Sequence, residues 1–248
     1  MNIFKVFIPH IFVFIIGIFW FLVSAWLAEN RGILIFFISI SVYCVLFFII
    51  VGLIPSPLIR ARPTKNRNAD TVIILGFGYT INVSNMKPGK SNQFLLDWTL
   101  NNYKDSLKLI LVQEGVWVAA DKEALQKLGI KIMRIHRHDP NINLNTFDTA
   151  FCAIELLKTL DKNKVILVAH DLQLQRAIWD FKRIGRKIYP ECTFIVPDIP
   201  DTPFDPNSKQ FQTRYEFIYK IGELLIARPR DFFSPIPTRC KAPVEQNS

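Results

Sequence analysis

Residues 71–78 read TVIILGFG, an apolar and β-branched run that ends in a glycine-bearing turn. The run does not alternate between apolar and polar residues, which is typical of a strand buried on both faces of a parallel sheet. Similar runs follow at 107–112, 130–135, 164–169 and 193–196, and longer amphipathic segments separate them. Such alternation is typical of βα units. The sequence therefore predicts an α/β fold, with a Rossmann-like, mostly parallel sheet flanked by helices.

The amphipathic segments between these runs predict the helices of the domain. Apolar residues at helical spacing indicate helices at 93–103, 122–128, 145–160, 171–185 and 210–226. The helix at 145–160 has the clearest start, because Asn145 offers a capping side chain and Asp148 places an acid in the first turn. We therefore assign residues 70–227 to one α/β domain.

The N-terminal residues have a different composition from the rest of the chain. Two apolar stretches, at about 3–27 and 33–54, are each close to the roughly 20 residues that a helix needs to cross a bilayer. The segment 29–32 between them is long enough only for a tight turn. The sequence predicts a two-helix transmembrane hairpin at 1–54 and an integral plasma (inner) membrane protein. A cleaved signal peptide is the alternative for the first stretch, although its apolar part exceeds the length usual for a signal.

The residues after the hairpin carry a run of positive charge. Arg60, Arg62, Lys65 and Arg67 follow the second stretch directly, and such residues are retained preferentially in the cytoplasm. This bias predicts a cytoplasmic soluble domain. Prolines and polar residues at 55–69 indicate a linker.

The overall charge and the C-terminal end complete the division of the chain. The net charge of +9 is spread among many acidic residues, so it does not indicate a nucleic-acid partner. The four cysteines form no C-x-x-C pair, which argues against a zinc or redox motif. Several prolines after Arg228 predict that residues 228–248 form a flexible tail.

Three loops at predicted strand ends contain residues suited to chemistry, because ligands of parallel sheets bind outside the carboxyl ends of the strands. Gly76 and Gly78 let the backbone approach a ligand and leave amide groups for an anion, or they form only a tight turn. Glu114, beside Gly115, follows the next strand. It is a ligand acceptor, a general base or a solvated loop acid.

The third loop contains His170, followed on the next helix by Arg176. The planar guanidinium of Arg176 suits phosphate or carboxylate. His170 is either a functional imidazole or a satisfied residue at a strand end. The cluster His136-Arg137-His138-Asp139 has no spacing typical of a metal site, so no metal is predicted.

Taken in order, these segments resemble the YdcF/SanA/ElyC-like family of bacterial α/β domains, which often carry N-terminal membrane helices. The resemblance spans residues 70–185. It is carried by Gly76-Phe77-Gly78, Gly115, the segment 145–150 and Arg176-Ala177. The chain departs from the family pattern at Gln173, where a histidine is usual, and at Phe77, where a glycine is usual.

The resemblance implies a nucleotide-binding-like fold and a part in cell-envelope or peptidoglycan maintenance. It implies ligand contacts from Gly115, Asn145 and Thr146 beside Gly76, Gly78, Glu114 and Arg176, with Asp148 and His170 as acid/base candidates. It names no agreed reaction or cofactor. Members similar to SanA have an outward-facing domain, so the opposite side of the membrane stays open.

Three hypotheses for the function follow from these observations. The first is a membrane-anchored domain that binds a small anionic, phosphorylated or nucleotide-like ligand. The second is an enzyme, a hydrolase or transferase, that acts on a phosphate- or carboxylate-bearing envelope precursor. The third is a non-catalytic membrane scaffold. The lipid bilayer is a partner in all three, and protein partners are not assigned.

Overall fold

The computed structural model describes residues 17–26, 33–53, 60–64, 68–78, 80–82, 85–135 and 145–236. The chain forms two compact units, Met1–Ile54 and Pro55–Ser248. The first unit corresponds to the predicted hairpin, and the second contains the predicted α/β domain.

In the first unit, helix α1 covers residues 17–26 and helix α2 covers Ile33–Gly52. The indole Nε1–H of Trp20 donates a hydrogen bond of 2.8 Å to the carbonyl oxygen of Ser39, and the hydroxyls of Ser24 and Ser39 lie 2.8 Å apart. Many large apolar side chains of both helices are exposed, among them Phe19, Leu22, Trp26, Phe37, Val45 and Ile50. Within the residues that the structure describes, no helix is both long enough and apolar enough to span a membrane.

The second unit contains seven short strands in the described residues. They are β1 (Thr71–Ile74), β2 (Thr80–Asn82), β3 (Asn85–Lys87), β4 (Leu109–Val112), β5 (Lys131–Arg134), β6 (Lys164–Val168) and β7 (Thr193–Ile195). Five of them form one sheet in the order β5-β4-β1-β6-β7, and β2 pairs with β3 as a separate antiparallel hairpin. All neighbours in the main sheet are parallel, which confirms the predicted α/β, Rossmann-like class.

The helices of this unit connect the strands and cover both faces of the sheet. They are α3 (Lys90–Tyr103), α4 (Glu114–Ala119), α5 (Lys122–Lys127), α6 (Thr146–Thr159), α7 (Asp171–Ile188), α8 (Glu216–Gly222) and α9 (Arg228–Phe233). A 3-10 helix at Phe211–Thr213 precedes α8, and a π-helix at Glu223–Ala227 joins α8 to α9.

The core lies around the three central strands. Every residue of β1 and β4 is buried, and so are residues 165–168 of β6. This explains the uninterrupted apolar runs in the sequence, because these strands are covered on both faces. The side chain of Asn145 caps α6 by accepting a hydrogen bond of 2.8 Å from the backbone N–H of Asp148, as the sequence predicts.

The C-terminal segment differs from the sequence prediction. Residues 228–233, predicted as the start of a flexible tail, form α9, and Asp231 is buried. Pro229 lies in the first turn of that helix, where the missing N–H of proline costs nothing. The guanidinium of Arg183 on α7 holds α9 by donating to the carbonyl oxygens of Asp231, at 2.6 Å, and Phe232, at 3.0 Å.

The predicted linker is described only in part, and that part packs against the domain. The backbone N–H of Thr64 donates to the carbonyl oxygen of Val196 at 2.8 Å, and the N–H of Val196 donates to the Thr64 hydroxyl at 2.7 Å. Arg60 forms an ion pair with Asp171 at 2.8 Å. Residues 60–64 are therefore part of the folded domain, because these polar groups find partners on it.

Candidate ligand-binding cleft

The main cleft of the domain lies where the strand order changes direction. From β1 the chain builds the sheet on one side through β4 and β5, and it then crosses to the other side for β6 and β7. The crevice at the carboxyl ends of β1 and β6 is the topological switch point, where open α/β sheets bind ligands. A cavity of about 540 Å³ lies at this edge, a size suited to a small organic ligand.

The structure brings all the predicted ligand-binding residues to this cavity. Its lining includes Gly76, Gly78, Glu114, Gly115, Asn145, Thr146 and Arg176. The opposite wall comes from the C-terminal segment and includes Gln210, Gln212, Thr213, Tyr219, Glu223 and Arg230. The sequence did not predict this wall, because nothing in the pattern of residues 210–230 shows where the segment packs.

The amide groups of the glycine turn are already used by the protein. The backbone N–H of Gly76 donates to Oε1 of Gln113 at 2.8 Å, and that of Phe77 donates to Oδ1 of Asn92 at 2.7 Å. The amides of Gly76 and Phe77 are therefore not available to an anion. Buried backbone amides need a partner, and here two neighbouring side chains supply it.

Gly78 and Gly115 are required by close packing at the cleft. Gly78 has a φ of +69°, and a Cβ there would lie 2.6 Å from the Thr213 hydroxyl oxygen. A Cβ on Gly115 would lie 2.5 Å from Nδ2 of Asn92, which donates to the carbonyl oxygen of Gly78 at 2.7 Å. These two glycines therefore bring the loops after β1 and β4 together.

Arg176 lies at the cleft, but its charge is matched by carboxylates. Its Nε lies 2.9 Å from Oε2 of Glu223, and its Nη1 lies 2.6 Å from Oδ2 of Asp231. The hydroxyl of Tyr219 also donates to Glu223, at 3.1 Å. Burial alone would lower the pKa of Arg176, but Glu223, Tyr219 and Asp231 together raise it, so the guanidinium stays charged. Arg176 therefore fastens the C-terminal wall to α7.

The more accessible cation of the lining is Arg230. Its side chain is 48 % exposed, and its Nε lies 2.8 Å from Oδ1 of Asp231. Near it on the other wall, Asn145 and Thr146 form the start of α6, a helix N-terminus that favours negative charge. The cleft thus offers one partly exposed guanidinium and one helix N-terminus to an anionic group.

Glu114 is ion-paired rather than free. Its Oε1 lies 3.1 Å from Nη1 of Arg134, and its side chain is partly buried. The guanidinium of Arg134 also lies over the ring of Trp117, at 5.5 Å from the centroid. Glu114 therefore contributes an ion-paired carboxylate to the cleft wall.

The two acid/base candidates do not line the cleft. His170 is fully buried, and its ring stacks on Phe77 with the centroids 3.8 Å apart, close also to Phe204 and Tyr219. Burial lowers the pKa of His170 more than Asp171 raises it, so the imidazole is neutral at neutral pH. Asp148 lies half-buried in the first turn of α6. His170 is therefore a buried residue at a strand end that does not line the cavity, and its Nε2 has no hydrogen-bond partner among the described residues.

Two hydrogen bonds between side-chain amides and hydroxyls lie at the cleft. Nε2 of Gln113 donates to the Thr149 hydroxyl at 2.6 Å, and Nε2 of Gln173 donates to the Thr146 hydroxyl at 2.9 Å. Gln113 follows β4 and Gln173 lies in the first turn of α7, so position at strand ends was a usable signal.

No metal ligands were found among the side chains described. In that part of the chain, no group of three or more His, Cys, Asp or Glu side chains is arranged to hold a metal ion. The cluster His136-Arg137-His138-Asp139 lies outside the described residues.

The fold and the cleft together define a Rossmann-like α/β protein with a pocket at its topological switch point. Comparison with known proteins gives no match to a family model, to a curated protein or to a solved structure.

Proposed function

We propose that this chain is a membrane-anchored, YdcF/ElyC-like protein that binds a small phosphorylated or nucleotide-like ligand and serves cell-envelope maintenance. The observation that carries the proposal is the cavity at the carboxyl ends of β1 and β6, lined by Gly76, Thr146 and Arg176. A volume of about 540 Å³ accommodates a ligand of nucleotide size.

The two kinds of polar group in the cleft fit the two parts of such a ligand. Arg230 favours the phosphate, since it presents a partly exposed guanidinium to the cavity. The amide side chains of Gln113 and Gln173 line the cavity, are themselves uncharged, and suit a base or sugar. Binding rather than catalysis is proposed because Asp148 and His170 do not line the cavity.

The membrane anchor is the second part of the proposal. The exposed apolar side chains of α1 and α2 support it, because burying them in lipid removes them from water. The basic residues Arg60 to Arg67 favour a cytoplasmic domain. We expect the full chain to sediment with membranes and to need detergent for release; recovery in a detergent-free supernatant would contradict the anchor.

Nucleotide binding is tested on the full chain in detergent by thermal shift. Uridine monophosphate or adenosine monophosphate is expected to raise the Tm, and the free nucleosides less so, because they lack the phosphate that Arg230 contacts. A ligand at 100 times its Kd stabilises the folded state by about 2.7 kcal/mol, which is readily measured. No stabilisation by either nucleotide would contradict the proposed nucleotide binding.

Two matched arginine variants locate the effect. Arg230→Gln removes the partly exposed guanidinium of the cleft, whereas Arg186→Gln removes an exposed guanidinium from α7 outside the cavity lining. We expect the nucleotide-induced Tm shift to shrink in the first variant and to remain in the second. Equal shifts in both would place the phosphate elsewhere.

A further inference from the structure

Gln173 has an unsatisfied hydrogen-bonding atom in the wall of the cleft. The residue is only 6 % exposed and lines the cavity. Its Nε2 donates to the Thr146 hydroxyl at 2.9 Å, whereas its Oε1 is buried and has no hydrogen-bond partner among the described residues. Buried polar atoms nearly always have partners, so an orphaned acceptor in a cavity wall indicates a group that arrives with a ligand.

Gln113, which lines the same cavity, provides the comparison, because its side-chain amide has only structural contacts. Its Oε1 accepts the N–H of Gly76 at 2.8 Å, and its Nε2 donates to the Thr149 hydroxyl at 2.6 Å. Both ends of that side chain are therefore used within the protein. Gln173 has one end fixed by Thr146, and its other end is a buried acceptor without a partner among the described residues, in a side chain that lines the cavity; this is the arrangement of a positioned ligand contact.

From this contrast we infer that Gln173 Oε1 accepts a hydrogen bond from an uncharged N–H or O–H group in the nucleoside part of the ligand. This inference rests on the proposed function and specifies it. The phosphate lies at Arg230, and the base or sugar lies at Gln173, whose amide contacts Thr146 at the start of α6. Gln173 thereby favours ligands with a neutral donor over those that carry only an anionic group.

The test compares nucleotide affinity in variants of Gln173, measured by titration calorimetry on the full chain in detergent. Gln173→Met has a similar volume but no acceptor, so we expect about tenfold weaker binding of uridine or adenosine monophosphate. Gln173→Glu keeps an oxygen acceptor but adds a negative charge, so it is compared on the uncharged nucleosides uridine and adenosine, for which we expect it to retain most of the affinity. The Tm of the ligand-free Gln173→Met chain should not fall much, because the orphaned atom is removed.

The control is Gln126→Met, which removes an exposed amide on α5 outside the cavity lining and should bind the nucleotides as the unchanged chain does. Unchanged nucleotide affinity in Gln173→Met would overturn the inference, and so would a Gln173→Glu chain that binds the uncharged nucleosides as weakly as Gln173→Met does. In both cases the unchanged chain still binds nucleotide. If the unchanged chain binds neither nucleotide, the proposed function itself fails.

Discussion

Replacing Arg176 with methionine is expected to lower the free energy of unfolding by about 3–5 kcal/mol. The guanidinium lies between the carboxylates of Glu223 and Asp231, at 2.9 and 2.6 Å, and both carboxylates are almost fully buried. Without Arg176, Glu223 keeps Arg228 and Tyr219, and Asp231 keeps Arg230, but both buried carboxylates lose the buried cation that lies between them. The stem of methionine fills much of the same space, so the loss reports mainly on the charge.

The loss is measured by urea unfolding of the full chain in detergent, with Arg186→Met as the matched control. Arg186 lies on the same helix but is exposed, so its replacement should change stability by less than about 0.5 kcal/mol. Adding Glu223→Gln to Arg176→Met should recover part of the loss, because one buried negative charge is then gone. A loss no larger than that of the control would show that Arg176 does not hold the C-terminal wall.

The same contacts connect stability to the cleft. Glu223 lies at the start of the π-helix, and Asp231 lies in α9, so Arg176 fastens both elements to α7. These elements form one wall of the cavity, with Tyr219, Ile226 and Arg230. A chain that loses Arg176 is therefore expected to lose ligand binding along with stability.

The sheet was predictable from the sequence because its strands are short and buried on both faces. All five strands of the main sheet fall within the predicted apolar runs, and α6 begins beside the predicted cap at Asn145. The hairpin of β2 and β3 was missed, since its strands have three residues each and no clear alternation. The helix α9 was missed because prolines around it were taken to exclude packed structure, although Pro229 occupies the turn that tolerates proline.

The position of the cleft was also predictable, because strand ends in a parallel sheet converge at one edge. The contacts that each residue makes in the cleft were not predictable from the sequence. Arg176 was expected to meet an anion from outside, but its partners come from Glu223 and Asp231, about fifty residues further along the chain. Such pairings depend on tertiary packing, which local spacing does not encode. His170 shows the same limit, since its burial against Phe77 and Phe204 follows from how the loops pack.

The second large effect concerns the buried carboxyl group of Asp180. Both of its oxygens are buried without hydrogen-bond partners among the described residues. Burial, together with the nearby charges of Asp231 and Glu223, raises the pKa of Asp180 to about 8, against the opposing effect of Arg176 and Arg183. In the unfolded chain the same group ionises near its ordinary pKa of 3.8. The folded protein therefore holds one proton that the unfolded chain has lost between about pH 4 and pH 8.

This difference in bound protons determines whether the free energy of unfolding rises or falls with pH. Where the folded state binds more protons, stability falls as the pH rises, by about 1.4 kcal/mol per pH unit for one group. The contribution of Asp180 is fully present below about pH 4 and is lost as the pH rises through about 8. Asp180→Asn cannot ionise, so we expect this variant to be more stable than the unchanged chain at pH 8 and to lose that slope.

Urea unfolding at pH 5, 6, 7 and 8 tests this expectation, and the difference between the two chains removes the contribution of every other titrating group. The gain in stability of Asp180→Asn should grow steadily across the series, by up to about 3–4 kcal/mol between pH 5 and pH 8. Asp105→Asn, at an exposed position, provides the matched control and should follow the unchanged chain at every pH. Parallel curves for Asp180→Asn and the unchanged chain would mean that Asp180 ionises normally in the fold, and that the helices α7 and α9 leave it open to water.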